Sequence, residues 1–268
     1  MNLQNFKKIK LINSGIIYIF YIVMLLIFPI KEYVSSSLVS SVIYMFIFYG
    51  GILFLIISKL YKSDIQIKKV IGNLSKKNEL VKIFSITITL VIFSVGSLLS
   101  SLYFFNILFP SIINKIIGFI NEIPSNNITL DIIRSVFLVP IVEEVLFRYL
   151  LLGKMTIKLG IKKSIIISSI IFSILHINFI GSFVFAVVLS LVYLKTGKLI
   201  LPILIHSFNN VIAIFLKWLE KFIPTTTSLI DIIKKGILPF KGFGLICFIF
   251  STILIVIYIY KLWLQLDD

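Results

Sequence analysis

The stretch VPIVEEVLFRYLLL, residues 139–152, sets Glu143, Glu144 and Arg148 inside an apolar run. With the residues from 129 onward it is long enough to cross a bilayer as a helix, which takes ~20 apolar residues. A charged side chain at membrane depth costs at least ~2.5 kcal/mol on insertion scales, so three together call for a function or a tight pairing. On a helix, Glu144 and Arg148 are four residues apart and share a face, so they can pair. Glu143 points about 100° away from its neighbour. Arg148 then neutralises Glu144 and holds the helix in place, which leaves Glu143 for chemistry. A carboxylate tuned by burial and neighbours can act as a general base toward water. Pro140 cannot donate to the helix ladder, and it is expected to kink the helix beside Glu143.

The rest of the chain agrees with a membrane setting. Of 268 residues, 59% are hydrophobic and 14% charged, and the mean hydropathy is +1.11. A soluble fold cannot hide that much apolar surface. The apolar runs are long and do not alternate, so the expected fold is an all-α polytopic membrane protein rather than a barrel. The net charge of +15 comes from lysines dispersed between the runs. That is the positive-inside pattern and argues against nucleic-acid binding. Cys247 is the single cysteine, so no disulfide can form within the chain.

Eight spans are expected, over residues 11–30, 34–58, 83–109, 129–152, 164–177, 179–194, 199–218 and 242–263, with both termini cytoplasmic. The first could pass for a signal peptide, but it is too long and no small-residue cleavage site follows. Gly50 and Gly51 are read as a close-packing point in the second span. Residues 59–82 and 153–163 read as cytoplasmic loops, the former with room for a short amphipathic helix. Ser94, Gly96, Ser97, Ser100 and Ser101 suit a helix face packed on other helices. Residues 110–127 and 217–241 read as external. This topology puts 17 lysines inside and 7 outside. The expected division is 1–128, N-terminal helices; 129–218, a catalytic core; 219–268, an external loop and the last helix, all in one integrated domain. The abundance of Ile and Lys points to a bacterial cell membrane.

His176 and His206 are the only histidines. His176 closes FSILH, with Phe172 four residues before it on the same helical face. His206 and Asn210, in HSFNN, are also four apart. Both side chains can donate hydrogen bonds, and aimed at one point they can hold a developing oxyanion. Pro202, one turn earlier, is expected to loosen that helix. Taken singly, a lone histidine at a helix end, a buried ion pair and a polar helix–helix contact are each ordinary structural features. Together they supply a base, water and an oxyanion hole, the equipment for hydrolysing an acyl bond.

The order E-E-x-x-x-R, F-x-x-x-H, H-x-x-x-N resembles the CAAX protease and bacteriocin-processing family, also called CPBP or Abi. That family includes the Rce1-type CAAX prenyl endopeptidases. The resemblance covers about residues 129–218. It implies an intramembrane glutamic protease in which Glu143 and His176 activate water. His206 and Asn210 would stabilise the oxyanion, and Glu144, Arg148 and Phe172 would support the site. It implies a peptide or small membrane protein as substrate, and roles such as bacteriocin or pheromone processing and self-immunity. The family has also been described as metal-dependent, and two histidines with a glutamate could hold zinc. The metal-free reading is preferred, because no HExxH is present and the two divisions of labour use every motif residue. The absence of HExxH, GxGD and G-x-S motifs sets aside the other intramembrane protease types. Two further readings stand beside the protease: a non-catalytic membrane scaffold or regulator, and a carrier. Intramembrane carboxylates fit a carrier too, but no inverted repeat is visible.

Overall fold

The computed structural model describes residues 42, 43, 45–74, 77–109, 111, 128–220 and 238–264. Among them the chain is helical, with no strand. The expected first span, almost all of 110–127 and most of 217–241 lie outside the described residues.

Helix α1 starts with a π turn at Phe46–Gly50 and continues through Gly51–Lys62. Phe48, Ile52, Ile56 and Leu60 recur every four residues and are buried. Phe46, Ile47, Phe54 and Tyr61 on other faces are exposed. An apolar stripe inward with large apolar side chains outward fits a helix facing lipid. Among the described residues, a Cβ at Gly50 or Gly51 would meet nothing within 4 Å, so the expected packing point is not made with this part of the molecule. The two glycines lie where the π turn gives way to the α-helix.

The expected surface helix is α2, Ile67–Ile71. Gly72 ends it at φ 73°, and its Cβ position lies 3.0 Å from Lys198 Cγ. Helix α3, Lys77–Leu108, begins six residues before the expected span. Its early residues include Glu79, which pairs with Lys198 at 2.7 Å.

Helix α4 is a composite over 128–159: Ile128–Ile132, a π turn at Ile133–Leu138, α-helix at Val139–Glu144, a second π turn at Val145–Leu152, then Gly153–Leu159. Residues 153–163 are therefore not a polar loop. The helix runs on to Leu159, Gly160 turns it at φ 78°, and α5, Ile161–Ile174, starts at once. Only a glycine takes that backbone freely. Lys154 is buried here rather than solvated. Burial first, and the Lys154 charge second, push Lys59 down to about 8.

Helix α6, Phe179–Thr196, is the centre of the bundle. Phe185 through Tyr193 are all buried, as expected of a helix surrounded by others. It contacts α3, α4, α5, α7 and α8. Helix α7 is Ile200–Glu220, and α8 is Leu238–Trp263. Pro202 does not loosen α7. It sits in the first turn, where a backbone N–H has no partner inside the helix anyway.

Three helices of the described residues are long and apolar enough to cross a membrane: Glu79–Phe105, Phe179–Thr196 and Gly244–Trp263. The small residues expected to form a packed face on α3 do so in part. A Cβ on Gly96 would lie 2.7 Å from Phe248 N, so α3 and α8 touch backbone to backbone there. Ser97 and Ser100 are buried beside it. Gly96→Ala should separate the two helices and cost ~1–3 kcal/mol, the usual range for overpacking. A thermal-melt comparison checks this, with Gly50→Ala, which meets open space, as the near-neutral control.

Candidate active site

The polar centre is assembled from α4, the α5–α6 turn and α7. Glu143 and Glu144 end the short α-helical piece between the two π turns of α4. Pro140 lies in its first turn, directly after the first π turn. A residue without an N–H cannot close a four-residue turn, and π turns are a common accommodation near functional groups.

Glu144 is fully buried and serves two partners. Its Oε2 lies 3.0 Å from Arg148 Nε, and its Oε1 lies 2.8 Å from His206 Nδ1. The Arg148 contact is close as an ion pair, but its N–H is not directed along the line, so it is not a hydrogen bond. Arg148 is also buried, with its guanidinium carbon 4.5 Å from the centre of the Phe172 ring. The expected Glu144–Arg148 pair is thus present. The bond to His206 was not foreseen, because the two residues are 62 positions apart.

Glu143 is nearly buried, and both histidines turn toward it. His176 Nε2 is 3.9 Å from Glu143 Oε2, and His206 Nε2 is 4.0 Å from the same oxygen. The other ring nitrogens are committed. His176 Nδ1 lies 2.8 Å from the Phe172 carbonyl oxygen. A carbonyl oxygen only accepts, so Nδ1–H donates and the neutral ring presents an unprotonated Nε2 to Glu143. His206 Nδ1–H donates in the same way to the Glu144 carboxylate. Each Nδ1 contact fixes the orientation of its ring.

Aromatic side chains wall the centre. Phe172 stacks on His176 at 4.3 Å and meets Phe147 edge-on at 5.1 Å. Phe185 meets His206 edge-on at 5.2 Å. His176, with about a third of its side chain accessible, is the open side; Glu143 and His206 are almost sealed. Asn210 Nδ2 donates to the Ser135 carbonyl oxygen at 2.7 Å, which ties α7 to the first π turn of α4. One amide hydrogen of Asn210 is therefore engaged away from the carboxylates.

Asn178 sets the turn that carries His176. Its Oδ1 accepts from Gly181 N at 3.1 Å and caps α6. Its Nδ2 donates to Ser94 O at 2.9 Å and Ser94 Oγ at 3.0 Å on α3. Gly181 is required there, because a Cβ would collide with the Asn178 amide. Asn178, just before an apolar run, carries a helix-cap signal that sequence reading could have used. Phe185 carries none, sitting in a helix that is apolar all round.

The two histidines and Glu143 are the donors a metal would take. Among the described residues, however, no group of three His, Cys, Asp or Glu side chains could hold a metal ion. His176 Nε2 and His206 Nε2 face the same Glu143 oxygen at 3.9 and 4.0 Å.

A buried acid pair with two oriented histidines turned toward it is equipped to take up and hand on a proton. Residues 125–212 match the model of the Rce1-like family, the type II CAAX prenyl endopeptidase Rce1-like proteins. That region, which holds all three motifs, is similar to this family. No curated protein and no solved structure matches the chain.

Proposed function

We propose that this protein is an intramembrane endopeptidase of the glutamic type, cleaving a peptide or small membrane protein near the membrane surface. The observation that carries the reading is the convergence of His176 Nε2 and His206 Nε2 on one oxygen of Glu143.

Glu143 and the Nε2 of His176 are both acceptors, and 3.9 Å is too long for a direct hydrogen bond. One water can donate a hydrogen to each and keep a lone pair for attack. As it attacks the scissile carbonyl carbon, Glu143 takes its proton. The carbonyl π bond becomes an oxyanion. Collapse of this intermediate re-forms the carbonyl, breaks the C–N bond and returns the proton to the departing amine. His206 and Asn210 are the donors for the oxyanion. His206 is held through Nδ1 by Glu144, and its Nε2 faces the Glu143 side of the centre, where it would donate to the oxyanion. Asn210 has its second amide hydrogen for the same task. Glu144 and Arg148 hold His206 in place, and Phe172 orients His176.

No step calls for a metal. EDTA or phenanthroline should leave cleavage by the purified protein unchanged. Inhibition that added zinc reverses would replace this mechanism with a metal-dependent one. His176→Ala and His206→Ala should each lower cleavage at least ~100-fold, the low end for loss of acid–base or oxyanion catalysis, at near-normal yield. Full activity in either variant would remove the role assigned to it. Processing of a bacteriocin leader or pheromone, or self-immunity, is the biological setting we propose for a bacterial source. A non-catalytic scaffold is the alternative, and it predicts that these variants behave as wild type.

A further inference from the structure

A second cavity, of about 570 Å³, lies apart from the acid pair, between α3, α6, α7 and α8. Its body is apolar: Ile86, Leu90, Val188, Val192, Leu254 and Ile255 line it. Its rim is cationic, with Lys82 from the start of α3, Lys195 from the end of α6 and Lys261 from the end of α8. All three lysines are exposed. Among the described lining residues Glu79 is the acid, and its carboxylate is already engaged 2.7 Å from Lys198 Nζ. The cationic side chains therefore outnumber the acid at the mouth of a slot whose walls are hydrocarbon.

The helix geometry gives the slot a depth. From Lys82 to Leu90 on α3 is eight residues, and from Lys261 back to Leu254 on α8 is seven, so the apolar walls run ~10–12 Å below the rim at 1.5 Å per residue. Lysines at one end of a helical bundle lie at a membrane surface, where they attract anionic headgroups.

We propose that this groove binds one anionic phospholipid of the surrounding membrane. Its phosphate sits among Lys82, Lys195 and Lys261, and the upper part of an acyl chain lies along Leu90, Val188 and Leu254. Charge complementarity selects the headgroup. A zwitterionic lipid carries its own cation to the same place and loses the advantage. The 570 Å³ volume falls within the range of small-molecule sites.

The test uses the full-length protein purified in a nonionic detergent, with phosphatidylglycerol or phosphatidylcholine of identical acyl chains added, read by native mass spectrometry. The expected result is one retained phosphatidylglycerol, bound at least tenfold more tightly than phosphatidylcholine. The triple variant Lys82→Ala/Lys195→Ala/Lys261→Ala should lose at least tenfold in affinity, since each lysine near the surface is worth up to about fivefold. Ile86→Trp, which fills the slot and spares the lysines, should lose phosphatidylglycerol as well. Equal retention of the two lipids, or unchanged phosphatidylglycerol binding in the triple variant, would overturn the proposal. Displacement of the lipid by millimolar inorganic phosphate would also overturn it, because the groove would then be an anion site without an acyl-chain slot.

Discussion

Glu143→Gln should abolish cleavage while the protein folds and inserts normally. The substitution keeps the size and most of the hydrogen-bonding reach of the side chain, but the amide cannot take a proton from water. A positioned general base contributes a factor of about 10²–10⁴, and kcat/KM should fall by that amount. Glutamine fills the same nearly buried space and adds no unpaired charge, so the melting temperature should hardly move. Glu143→Asp retains a carboxylate but withdraws it by one methylene. Its activity should lie between those of wild type and Glu143→Gln. Active-site geometry at this precision explains why: an ångström of misplacement can cost about 100-fold. The check is a single-turnover assay with a membrane peptide, run beside a thermal melt.

Arg148→Ala should act in the opposite way, on the amount of folded protein. Arg148 and Glu144 are both buried, and removing one member of a buried pair costs ~3–5 kcal/mol; here the His206 bond to Glu144 remains, so the cost should fall toward the lower end of that range. The loss extends further here. Glu144 also holds His206 by Nδ1, and Arg148 packs on the Phe172 ring that stacks against His176. The variant should therefore show low yield, a clearly lowered melting temperature and weak activity in what remains. Glu144→Gln combined with Arg148→Met removes both charges and should recover much of the stability. It should not recover activity, because a neutral amide does not hold the His206 ring as the Glu144 carboxylate does. A normal melting curve for Arg148→Ala would show that the pair carries no structural weight.

The helical membrane class was legible because hydropathy acts over whole segments and survives local error. Within the site, contacts four residues apart were equally legible. Glu144–Arg148 and Phe172–His176 follow from helix pitch alone, and both are present. The bond from His206 to Glu144 was not legible, since it depends on how α7 packs against α4, and no local pattern records that. The same holds for Asn210, whose amide reaches the Ser135 carbonyl 75 residues away.

Three misreadings share a different cause. Four lysines in residues 153–163 suggested a loop, yet helix propensity is not lost to charge, and only Gly160 breaks the backbone. Gly50 and Gly51 suggested close packing, but small residues permit an approach without causing it; among the described residues, Gly96 against Phe248 is where one occurs. Pro202 suggested a loosened helix, but a first-turn proline leaves nothing unsatisfied. In each case the residue type was read without its position in the helix.

The most direct measurement compares the membrane peptide pools of cells carrying wild type or Glu143→Gln at equal expression. The account predicts at least one peptide or small membrane protein that accumulates uncleaved only with Glu143→Gln, and whose fragments appear only with wild type. Identical pools, together with rescue of a deletion phenotype by Glu143→Gln, would contradict it and leave the polar centre a structural one.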